Sequence, residues 1–390
     1  MDQFLKEKTQ GKPRILLAPL DWGLGHATRC IPIIRELLAQ GCDVWLAGEG
    51  IQKELLRTEF PHLPFLDLPG YRIKYAKTKK GLLWKMIRQW PKLRRAIQQE
   101  HLWLKKAVKQ YAFDAVISDN RYGLYHSKIP CVFITHQLYI KTSMGKWTEK
   151  ILRKRNYRYI NRFNECWIPD LHAGQAGFEG EINLAGDLSH PDKKPAVPIK
   201  YIGLLSRFSY SLLPKLSEQA RDGGKKNHLL IVLSGPEPQR SMLEEKIISE
   251  ISHYNGTAVV VRGLPGYSSL IPSTNMIHFY NHLPAKELND EMQKAEYIIS
   301  RSGYSTVMDI VALQKKSILI PTPGQTEQEY LGEYLMKTGI ATCIQQENFS
   351  LVAALEAAAN YPYSIPVMHD NNLQKVITDF LHQAGKPALG

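Results

Sequence analysis

Short apolar runs alternate along the chain with longer segments in which apolar residues recur every three or four positions. The short runs are typical of buried strands and the longer segments of amphipathic helices, so the alternation predicts parallel sheets built from βαβ units. The predicted strands of the first half are Ile15–Leu20, Asp43–Ala47, Ala115–Ser118, Cys131–Thr135, Cys166–Ile168 and Ile182–Ala185. Those of the second half are Leu229–Leu233, Ala258–Val261, Met276–Phe279, Tyr297–Ser300, Ser317–Pro321 and Ala341–Ile344.

The two series of strands predict an α/β fold of two doubly wound, Rossmann-like domains. The segments "YIGLLSRF" and "EQARDGGKKNH" interrupt the alternation between them. We therefore predict an N-terminal domain over 1–208, a C-terminal domain over 209–370 and a C-terminal helix within 371–390. Because ligands of open α/β sheets bind at the carboxyl ends of the strands, we expect the two domains to face each other across a cleft.

The segment "DWGLGHATR" (21–29) follows the first predicted strand and leads into a helix. Gly23 and Gly25 permit a tight turn and a close backbone approach, and the N–H groups of a helix start favour an anion. A dinucleotide fingerprint would need a third glycine where the chain has Thr28, so that interpretation fails. His26 can exchange a proton near neutral pH, which makes it a candidate catalytic residue.

Two further polar groups follow strands of the first half, namely "SDNR" (118–121) and Thr135-His136. Each has a structural interpretation as well, since Asp-Asn is common turn chemistry. The topology could bring these groups and His26 to one rim of the sheet. Asp119 is therefore the second candidate for a catalytic base.

Two junctions of the second half have the form of a phosphate site. Ser234 and Gly235, in "LSGPEPQ", follow a strand and open a helix, and Ser302 and Gly303, in "SRSGYSTVMDI", do the same. Backbone N–H groups and hydroxyls at such helix starts suit a phosphate.

The helices after these junctions carry further polar candidates. Thr306 and Asp309 share one helical face, where a carboxylate can bind ribose hydroxyls. In "PTPGQTEQEY", Gln328 and Glu329 stand at another helix start and suit sugar hydroxyls. Ordinary N-capping is the alternative, but three polar junctions in one domain favour a ligand.

The segment from His278 to Ala341 resembles the donor-binding domain of the MurG-like (family 28) glycosyltransferases. It shares their "RSG…T…[DE]" element and their Pro-rich loop ending in Gln, and "GLGHATR" is similar to their first-loop Gly-Gly-His. The resemblance implies the GT-B fold, a UDP-sugar donor and no cofactor. By this resemblance, the diphosphate meets Ser302, Gly303 and Thr306, the ribose meets Asp309, the donor sugar meets Gln328 and Glu329, and the uracil meets the backbone near Tyr280 to Leu283. The family often has two glutamines where this chain has Gln328 and Glu329.

The expected activity is the inverting transfer of a sugar, N-acetylglucosamine in the first place, from UDP to an acceptor. His26 would assist deprotonation of the acceptor or stabilise the departing diphosphate. The chain has no Asp-x-Asp triplet, so we expect no metal. Two alternatives stay open: a UDP-sugar 2-epimerase of the same fold, and a non-catalytic nucleic-acid-binding protein.

The net charge of +13 is concentrated in two segments: residues 71–110 carry 13 Lys/Arg and one Glu, and residues 141–162 carry eight Lys/Arg and one Glu. Both also contain tryptophans, which suit the headgroup region of a membrane. We predict an anionic membrane surface as the partner and no nucleic acid. In the first segment, Leu83, Met86, Ile87 and Trp90 form an apolar stripe, and Pro91 is expected to start a second helix. The alternative is that this stripe packs on the core.

The remaining composition predicts a cytoplasmic protein, peripheral at the inner face of the membrane. No apolar stretch approaches the ~18–20 residues of a membrane span, and the polar start lacks the apolar core of a signal peptide. The five cysteines form no C-x-x-C pair, which favours reduced thiols.

Overall fold

The computed structural model describes residues 11–72, 79–172, 183–208, 227–264, 267–367 and 372–384, with the backbone alone in 79–89. The chain divides into two compact units. The first contains residues 1–74, 83–205 and 369–390, and the second contains residues 75–82 and 206–368.

A seven-stranded parallel sheet forms the centre of the first unit. Its order is β3-β2-β1-β4-β5-β6-β7. The strands are β1 (Arg14–Pro19), β2 (Asp43–Gly48), β3 (Phe65–Asp67), β4 (Ala115–Asp119), β5 (Cys131–Ile134), β6 (Glu165–Ile168) and β7 (Ile199–Tyr201). The helices are α1 (Leu24–Ala39), α2 (Gly50–Glu59), α3 (Lys79–Tyr111), α4 (Lys146–Ile160) and, at the end of the chain, α10 (Leu373–Ala384). β1, β4 and β5 are buried along their whole length, as expected for parallel strands covered on both faces.

The second unit has a six-stranded parallel sheet of order β10-β9-β8-β11-β12-β13. The strands are β8 (His228–Val232), β9 (Thr257–Val261), β10 (Ile277–Tyr280), β11 (Tyr297–Ser300), β12 (Ser317–Leu319) and β13 (Thr342–Cys343). The helices are α5 (Gln239–Ile251), α6 (Ala285–Lys294), α7 (Tyr304–Ala312), α8 (Thr326–Lys337) and α9 (Leu351–Ala359). Numbered within the unit, this is the 3-2-1-4-5-6 order of doubly wound dinucleotide-binding folds. The predicted fold class is confirmed.

Each sheet has one place where the strand order reverses, and ligands of such sheets bind outside the carboxyl ends of the strands there. In the first unit this point lies between β1 and β4, where Pro19 pairs with Asp119. In the second it lies between β8 and β11, where Val232 pairs with Ser300. We therefore expect ligands to bind at the loops that follow β1, β4, β8 and β11.

The prediction of a strand at Ile182–Ala185 is wrong for residues 183–185, the part that the structure describes. Residues 183–185 form no strand, and a 3₁₀ helix follows at Gly186–Leu188. The backbone N–H groups of Leu184 and Ala185 donate to the carboxylate of Asp170 at 2.8 and 3.1 Å. A buried carboxylate thus replaces the neighbouring strand as the hydrogen-bond partner.

The prediction that Pro91 starts a second helix is also wrong, because α3 continues through this residue. Beyond it, α3 buries Ile97, Leu104 and Ala107 against the first unit. Tertiary packing of one amphipathic face therefore outweighs the backbone hydrogen bond that proline cannot make.

The two edge strands of the first sheet, β3 and β7, were not among the predicted strands. Each has three residues, too few to show a periodicity. The C-terminal helix α10 packs on the first unit: Thr378 Oγ1 donates to Gln40 Oε1 at 3.1 Å, and the rings of Phe380 and Trp167 lie 5.4 Å apart. Among the described residues, no helix has the length and apolar character needed to cross a membrane.

Candidate functional site

The turn after β1 brings His26 to the switch point of the first sheet. Gly23 precedes α1 with φ of 75°, a conformation that favours glycine. Its carbonyl accepts a hydrogen bond from Gln52 Nε2 at 3.0 Å, and the carbonyl of Gly25 accepts one from Thr28 Oγ1 at 3.0 Å. The turn thus places His26 in the first turn of α1, with 14% of its side chain exposed.

His26 and Asp119 lie in contact. The Nδ1 atom of His26 is 2.9 Å from Oδ2 of Asp119, whose side chain is fully buried at the end of β4. Arg29, one helical turn after His26, also binds this carboxylate: its Nε lies 3.0 Å from both oxygens, and its Nη2 contacts Oδ1. A buried carboxylate, a guanidinium and an imidazole therefore form one network.

Two more residues complete what we call the first-unit cluster: His26, Arg29, Cys30, Asp119 and His136. Arg29 Nη1 lies 3.2 Å from Nδ1 of His136, and Cys30 Sγ lies 3.9 Å from Asp119 Oδ2. Of "SDNR", Asp119 alone joins this cluster. Ser118 Oγ donates to the carbonyl of Arg121 at 2.6 Å, and Arg121 Nε binds Glu100 at 2.5 Å.

The charges of the cluster follow from its burial. Burial raises the pKa of Asp119, but the charge of Arg29, the interaction with His26 and the hydrogen bonds of both outweigh burial and hold that pKa below its ordinary value. Burial lowers the pKa of His26, the charge of Arg29 lowers it further, and Asp119 opposes both without cancelling them. At neutral pH the cluster therefore holds a carboxylate, a guanidinium and a neutral His26.

The neutral imidazole of His26 has two tautomers, and they differ in what they can do. Its Nδ1 lies 2.9 Å from the carboxylate of Asp119 and 2.8 Å from Nη2 of Arg29. This nitrogen can donate to Asp119 or accept from Arg29, but not both. When it donates to Asp119, the Nε2 atom carries a lone pair and can accept a proton.

In the second unit, the loops after β8, β11 and β12 meet around Gly235. This glycine has φ of 102°, and a Cβ atom on it would lie 3.4 Å from Thr322 Oγ1 and 3.9 Å from Arg301 Nε. Both of these atoms are buried without a hydrogen-bond partner in the described part of the chain. We call Ser234, Gly235, Arg301 and Thr322 the second-unit cradle.

Arg301 is held in place by carbonyl groups. Its Nη2 donates to the carbonyl of Gln239 at 2.7 Å, and its Nη1 to the carbonyls of Ile320 and Pro321 at 3.2 and 3.3 Å. Burial lowers the pKa of Arg301 to about 10, so it stays charged at neutral pH. A buried cation with an unused N–H suits an anionic ligand.

The other predicted residues of the Pro-rich loop and of α7 are engaged in the fold. Ser302 is buried and its Oγ donates to the carbonyl of Gln328 at 2.7 Å, while Oε1 of Gln328 accepts from Thr322 N–H at 2.9 Å. Glu329 Oε1 accepts from the N–H of Gly324 at 3.0 Å. Gln328 and Glu329 therefore hold the loop between β12 and α8.

Gly303 and Thr306 lie at the start of α7, and Gly303 has open space where a Cβ would stand. Asp309, farther along α7, is buried: its oxygens accept from Ser206 Oγ at 2.8 Å and Arg207 Nε at 3.2 Å. Burial raises its pKa although Arg207 opposes the change. A contact between Asp309 and a ribose would require a change of partners.

The predicted uracil-binding segment ends β10. Tyr280 is 41% exposed and Leu283 is buried. The carbonyls of Tyr280 and Asn281 accept from Arg262 N–H and Leu264 N–H at 2.8 and 2.7 Å. These two carbonyls are thus already paired within the unit.

Four residues of these sites were not assigned from the sequence: Arg29, Cys30, Arg301 and Thr322. Arg29 stands three residues after His26, the spacing of neighbours on a helix face. Arg301 directly precedes the Ser302-Gly303 turn. Thr322 carries no local signal at all. In the described part of the chain, no group of three or more His, Cys, Asp or Glu side chains could hold a metal ion.

Comparison with known proteins identifies the class of enzyme. Residues 271–383 match the glycosyltransferase family 28 C-terminal domain. The chain is 24% identical over 348 residues to the UDP-N-acetylglucosamine--N-acetylmuramyl-(pentapeptide) pyrophosphoryl-undecaprenol N-acetylglucosamine transferase of Glaesserella parasuis, covering 85% of this chain and 86% of that protein. The enzyme of the same name from Buchnera aphidicola is 23% identical, with 84% and 83% covered.

Solved structures agree in fold. Acinetobacter baumannii MurG has a TM-score of 0.52 at 14% identity, covering 95% of this chain and 99% of that one. The glycosyltransferase SnogD from Streptomyces nogalater has a TM-score of 0.57 at 14% identity, covering 96% and 100%. The resemblance inferred from the motifs is confirmed by the family 28 domain match and by the MurG-like relatives: the chain has the GT-B fold and is a glycosyltransferase.

Proposed function

We propose that this glycosyltransferase transfers a sugar, N-acetylglucosamine in the first place, from UDP to a lipid-linked acceptor with inversion at the anomeric carbon. The observation that carries the proposal is the second-unit cradle, where Arg301 Nε and Thr322 Oγ1 lie beside Gly235, both without a partner among the residues that the structure describes. Two buried hydrogen-bond donors without partners suit the diphosphate of a nucleotide sugar. The names of the two relatives support the choice of donor and acceptor.

The diphosphate in this proposal is held by the protein without a metal. The start of α5 follows Ser234 and Gly235, and the start of α7 follows Ser302 and Gly303, so two helix N-termini supply N–H groups and a positive dipole. Arg301 adds a full positive charge. These groups stabilise the negative charge that develops on UDP as it leaves.

The first-unit cluster supplies the base. The acceptor hydroxyl oxygen bonds to the anomeric carbon while the bond from that carbon to the diphosphate oxygen breaks. The electron pair leaves with UDP, and the hydroxyl proton passes to Nε2 of His26. Asp119 keeps the proton of the imidazole on Nδ1 and stabilises the imidazolium that forms, as the carboxylate does in a hydrolase triad.

Burial favours His26 over Asp119 as the base. Asp119 is fully buried, and Arg29 and His26 occupy both of its oxygens, whereas part of His26 reaches solvent. We therefore assign the proton transfer to His26 and the orientation of His26 to Asp119.

Binding of UDP tests the donor assignment. UDP should raise the melting temperature in the presence of EDTA, since a ligand that binds the native state stabilises it. UDP-N-acetylglucosamine incubated with the protein alone should give no epimer, because the UDP-sugar 2-epimerase alternative alone predicts one. UDP binding that requires magnesium, or no binding of UDP at all, would contradict the proposal.

An exposed basic face on α4 supports the proposal that the acceptor is linked to a membrane lipid. α4 exposes Trp147 and Ile151, one turn apart, with Trp147 73% exposed. Five basic residues of α4 are exposed around them, namely Lys146, Lys150, Lys154, Arg155 and Arg158. Tryptophan beside lysines is the composition of a helix that lies on a membrane surface.

The two basic segments are neighbours. The guanidinium of Arg155 lies 4.3 Å above the ring of Trp90, which belongs to α3. The side chains of Leu83, Met86 and Ile87 lie outside the described residues, so the predicted apolar stripe of 71–110 stays a prediction. We propose that residues 71–110 and 141–162 together bind anionic lipid at the inner face of the membrane.

Vesicle co-sedimentation tests this surface. The protein should bind anionic vesicles at low salt and dissociate from them as the salt concentration rises. It should not bind neutral vesicles. Replacing Lys146, Lys150 and Lys154 with glutamate should abolish binding, because each basic residue contributes about 1 kcal/mol near an anionic surface. The same three changes should leave UDP binding intact. Equal binding to neutral vesicles, or binding to single-stranded RNA instead, would point away from lipid.

A further inference from the structure

A second buried network lies beside the first-unit cluster, at the carboxyl edge of the same sheet. Its centre is Glu100 of α3, which exposes 2% of its side chain. The carboxylate accepts from Arg121 Nε at 2.5 Å, from the hydroxyl of Tyr71 at 2.7 Å and from the N–H of Gly123 at 2.7 Å. The side chain of Arg121 is fully buried as well. Both charges of this ion pair are therefore enclosed by the fold.

Arg121 ties together the ends of two strands. It follows Asp119 by two residues, and its Nη1 donates to the carbonyl of Pro19 at 3.2 Å. Pro19 ends β1 and is the residue that pairs with Asp119 in the sheet. The Nη2 of Arg121 donates to the carbonyl of Pro69, in the loop after β3, at 2.5 Å. One guanidinium thus links the strand end that carries Asp119 to the strand end that leads to His26.

The loop after β3 also holds the turn that precedes His26. Asp21 opens that turn, and its two oxygens accept from the backbone N–H groups of Tyr71 and Arg72 at 3.0 Å each. The loop passes so close that a Cβ atom on Gly70 would overlap the carboxylate of Asp21, which explains the glycine at this position. We call Asp21, Tyr71, Glu100 and Arg121 the loop clamp.

Stability alone does not account for the loop clamp, because apolar residues of similar volume often serve a fold as well as a buried ion pair. The contact beside it needs precise placement. The Nδ1 atom of His26 lies 2.9 Å from Asp119, and a misplacement of about 1 Å can lower a rate about 10²-fold. Gly23 and Gly25 give the turn before His26 conformational freedom. Asp21 restrains the start of this turn.

We infer that the loop clamp positions His26 against Asp119, and that its four members are positioning residues for the transfer reaction. The clamp acts through the backbone of the turn that follows Pro19. This inference rests on the proposed function, since that function gives His26 the role of the base.

The double variant Glu100→Gln/Arg121→Met tests the inference, because it removes both buried charges together. No uncompensated charge is left, so the protein should fold. The carbonyls of Pro19 and Pro69 nevertheless lose their donor, and the turn that carries His26 should move away from its place in the first-unit cluster.

NMR of protein labelled with ¹⁵N-histidine measures this movement, with His26→Gln to assign the signals. In the wild-type protein His26 should hold its proton on Nδ1 and titrate below its ordinary pKa of 6.5. In the double variant the Nδ1-protonated tautomer should lose population. The pKa of His26 should rise toward 6.5, because burial and Arg29 no longer lower it to the same extent.

Release of UDP from UDP-N-acetylglucosamine, with water in place of the acceptor hydroxyl, gives a second measurement. The double variant should release UDP about 10²-fold more slowly. It should bind UDP as the wild-type protein does, because the cradle belongs to the second unit. In the His26→Ala protein the same two changes should cause no further loss, since they act through His26.

Arg14→Met/Asp43→Asn is the matched control. Arg14 Nε binds Asp43 Oδ2 at 2.6 Å at the opposite end of β1, and 8% of the side chain of Arg14 is exposed. Loss of this pair should change neither the titration of His26 nor the release of UDP. Asp21→Asn keeps one acceptor oxygen for two N–H groups, and its site is only partly buried, so this variant should fold and shift His26 less than the double variant.

A wild-type titration of His26 in both the double variant and Asp21→Asn would overturn the inference. Equal changes in the double variant and its control would overturn it as well, because they would show a general loss of structure. Either result would leave UDP binding in support of the proposed function. Failure of UDP to bind would contradict the proposed function, whatever the titration of His26.

Discussion

The switch points of the two sheets occupy equivalent positions but differ in how far their polar groups are satisfied. In the first-unit cluster, both oxygens of Asp119 are taken up by Arg29 and His26. In the second-unit cradle, the Nε of Arg301 and the hydroxyl of Thr322 are buried without partners in the described residues. A satisfied network holds its groups in one geometry, whereas an unsatisfied one favours a ligand that completes it. The first suits a proton-transfer site and the second a binding site.

The largest expected effect concerns His26. His26→Ala should lower turnover by about 10²–10⁴-fold, the range for a lost general base, and leave UDP binding nearly intact because the base is not part of the cradle. Steady-state kinetics and UDP titration measure the two effects separately. Asp119→Asn is the companion variant: an active His26→Ala protein beside an inactive Asp119→Asn protein would transfer the role of base to Asp119.

The next largest effect should be on protein stability, through the first-unit cluster. Arg29→Met leaves the buried carboxylate of Asp119 without its guanidinium, so the free energy of unfolding should fall by about 3–5 kcal/mol. Denaturant unfolding measures this loss. Arg35→Met is the matched control on the same helix, since Arg35 is 36% exposed and pairs with Glu59 at 3.3 Å, and it should cost no more than about 1 kcal/mol. Equal losses would mean that the first-unit cluster is not a satisfied network.

Substitutions in the second-unit cradle should weaken the binding of UDP. Arg301→Lys keeps a positive charge but lacks Nε, and it should weaken UDP by about 1.5–3 kcal/mol, the scale of a hydrogen bond to a charged group. Thr322→Val removes a buried hydroxyl that has no partner among the described residues, so it should weaken UDP binding while the free energy of unfolding stays equal or rises. Calorimetric titration and unfolding curves measure these changes. A Thr322→Val protein that is less stable and binds UDP normally would show that the hydroxyl is already satisfied.

The smallest effect is a shift in pH dependence. His26 must be neutral to accept a proton, and its pKa lies below the ordinary value of 6.5. The value of kcat/KM should therefore fall only below pH 6.5. Arg29→Met removes the positive charge that lowers the pKa of His26, so kcat/KM should begin to fall at a higher pH. Arg29→Lys keeps that charge and should change this pH less. A pH–rate profile of the three proteins measures the shift. A profile that is identical in all three would remove Arg29 as a determinant.

The same shifts set the sign of the dependence of stability on pH. The folded-state pKa values of His26 and Asp119 are both lowered, so the unfolded chain binds more protons as pH falls. The stability that these groups contribute is present above their unfolded pKa values and is lost as pH falls through the folded ones. Acid should therefore destabilise the first unit.

Much of the candidate site was predictable from local patterns. The strand-to-helix junctions at Gly23, Gly235 and Gly303 are visible because a strand, a glycine turn and a helix follow one another within a few residues. The motifs near Ser302 and Gln328 were likewise readable, and they lie within residues 271–383, which match the family 28 C-terminal domain. The contacts assigned to Asp309, Tyr280 and Leu283 stay predictions.

The sequence by itself thus determined the two βαβ series, the fold class and the loops that carry polar chemistry, because these depend on residues close together in the chain. The tertiary structure decided which of those residues meet. Arg29 pairs with Asp119 across 90 positions because strand order places β1 beside β4. Thr322 lies near Gly235 across a similar distance because only β11 separates β8 from β12 in the second sheet. The continuation of α3 through Pro91 and the loop at 183–185 have the same origin. Packing and a buried carboxylate, both supplied by distant parts of the chain, outweighed the local preference.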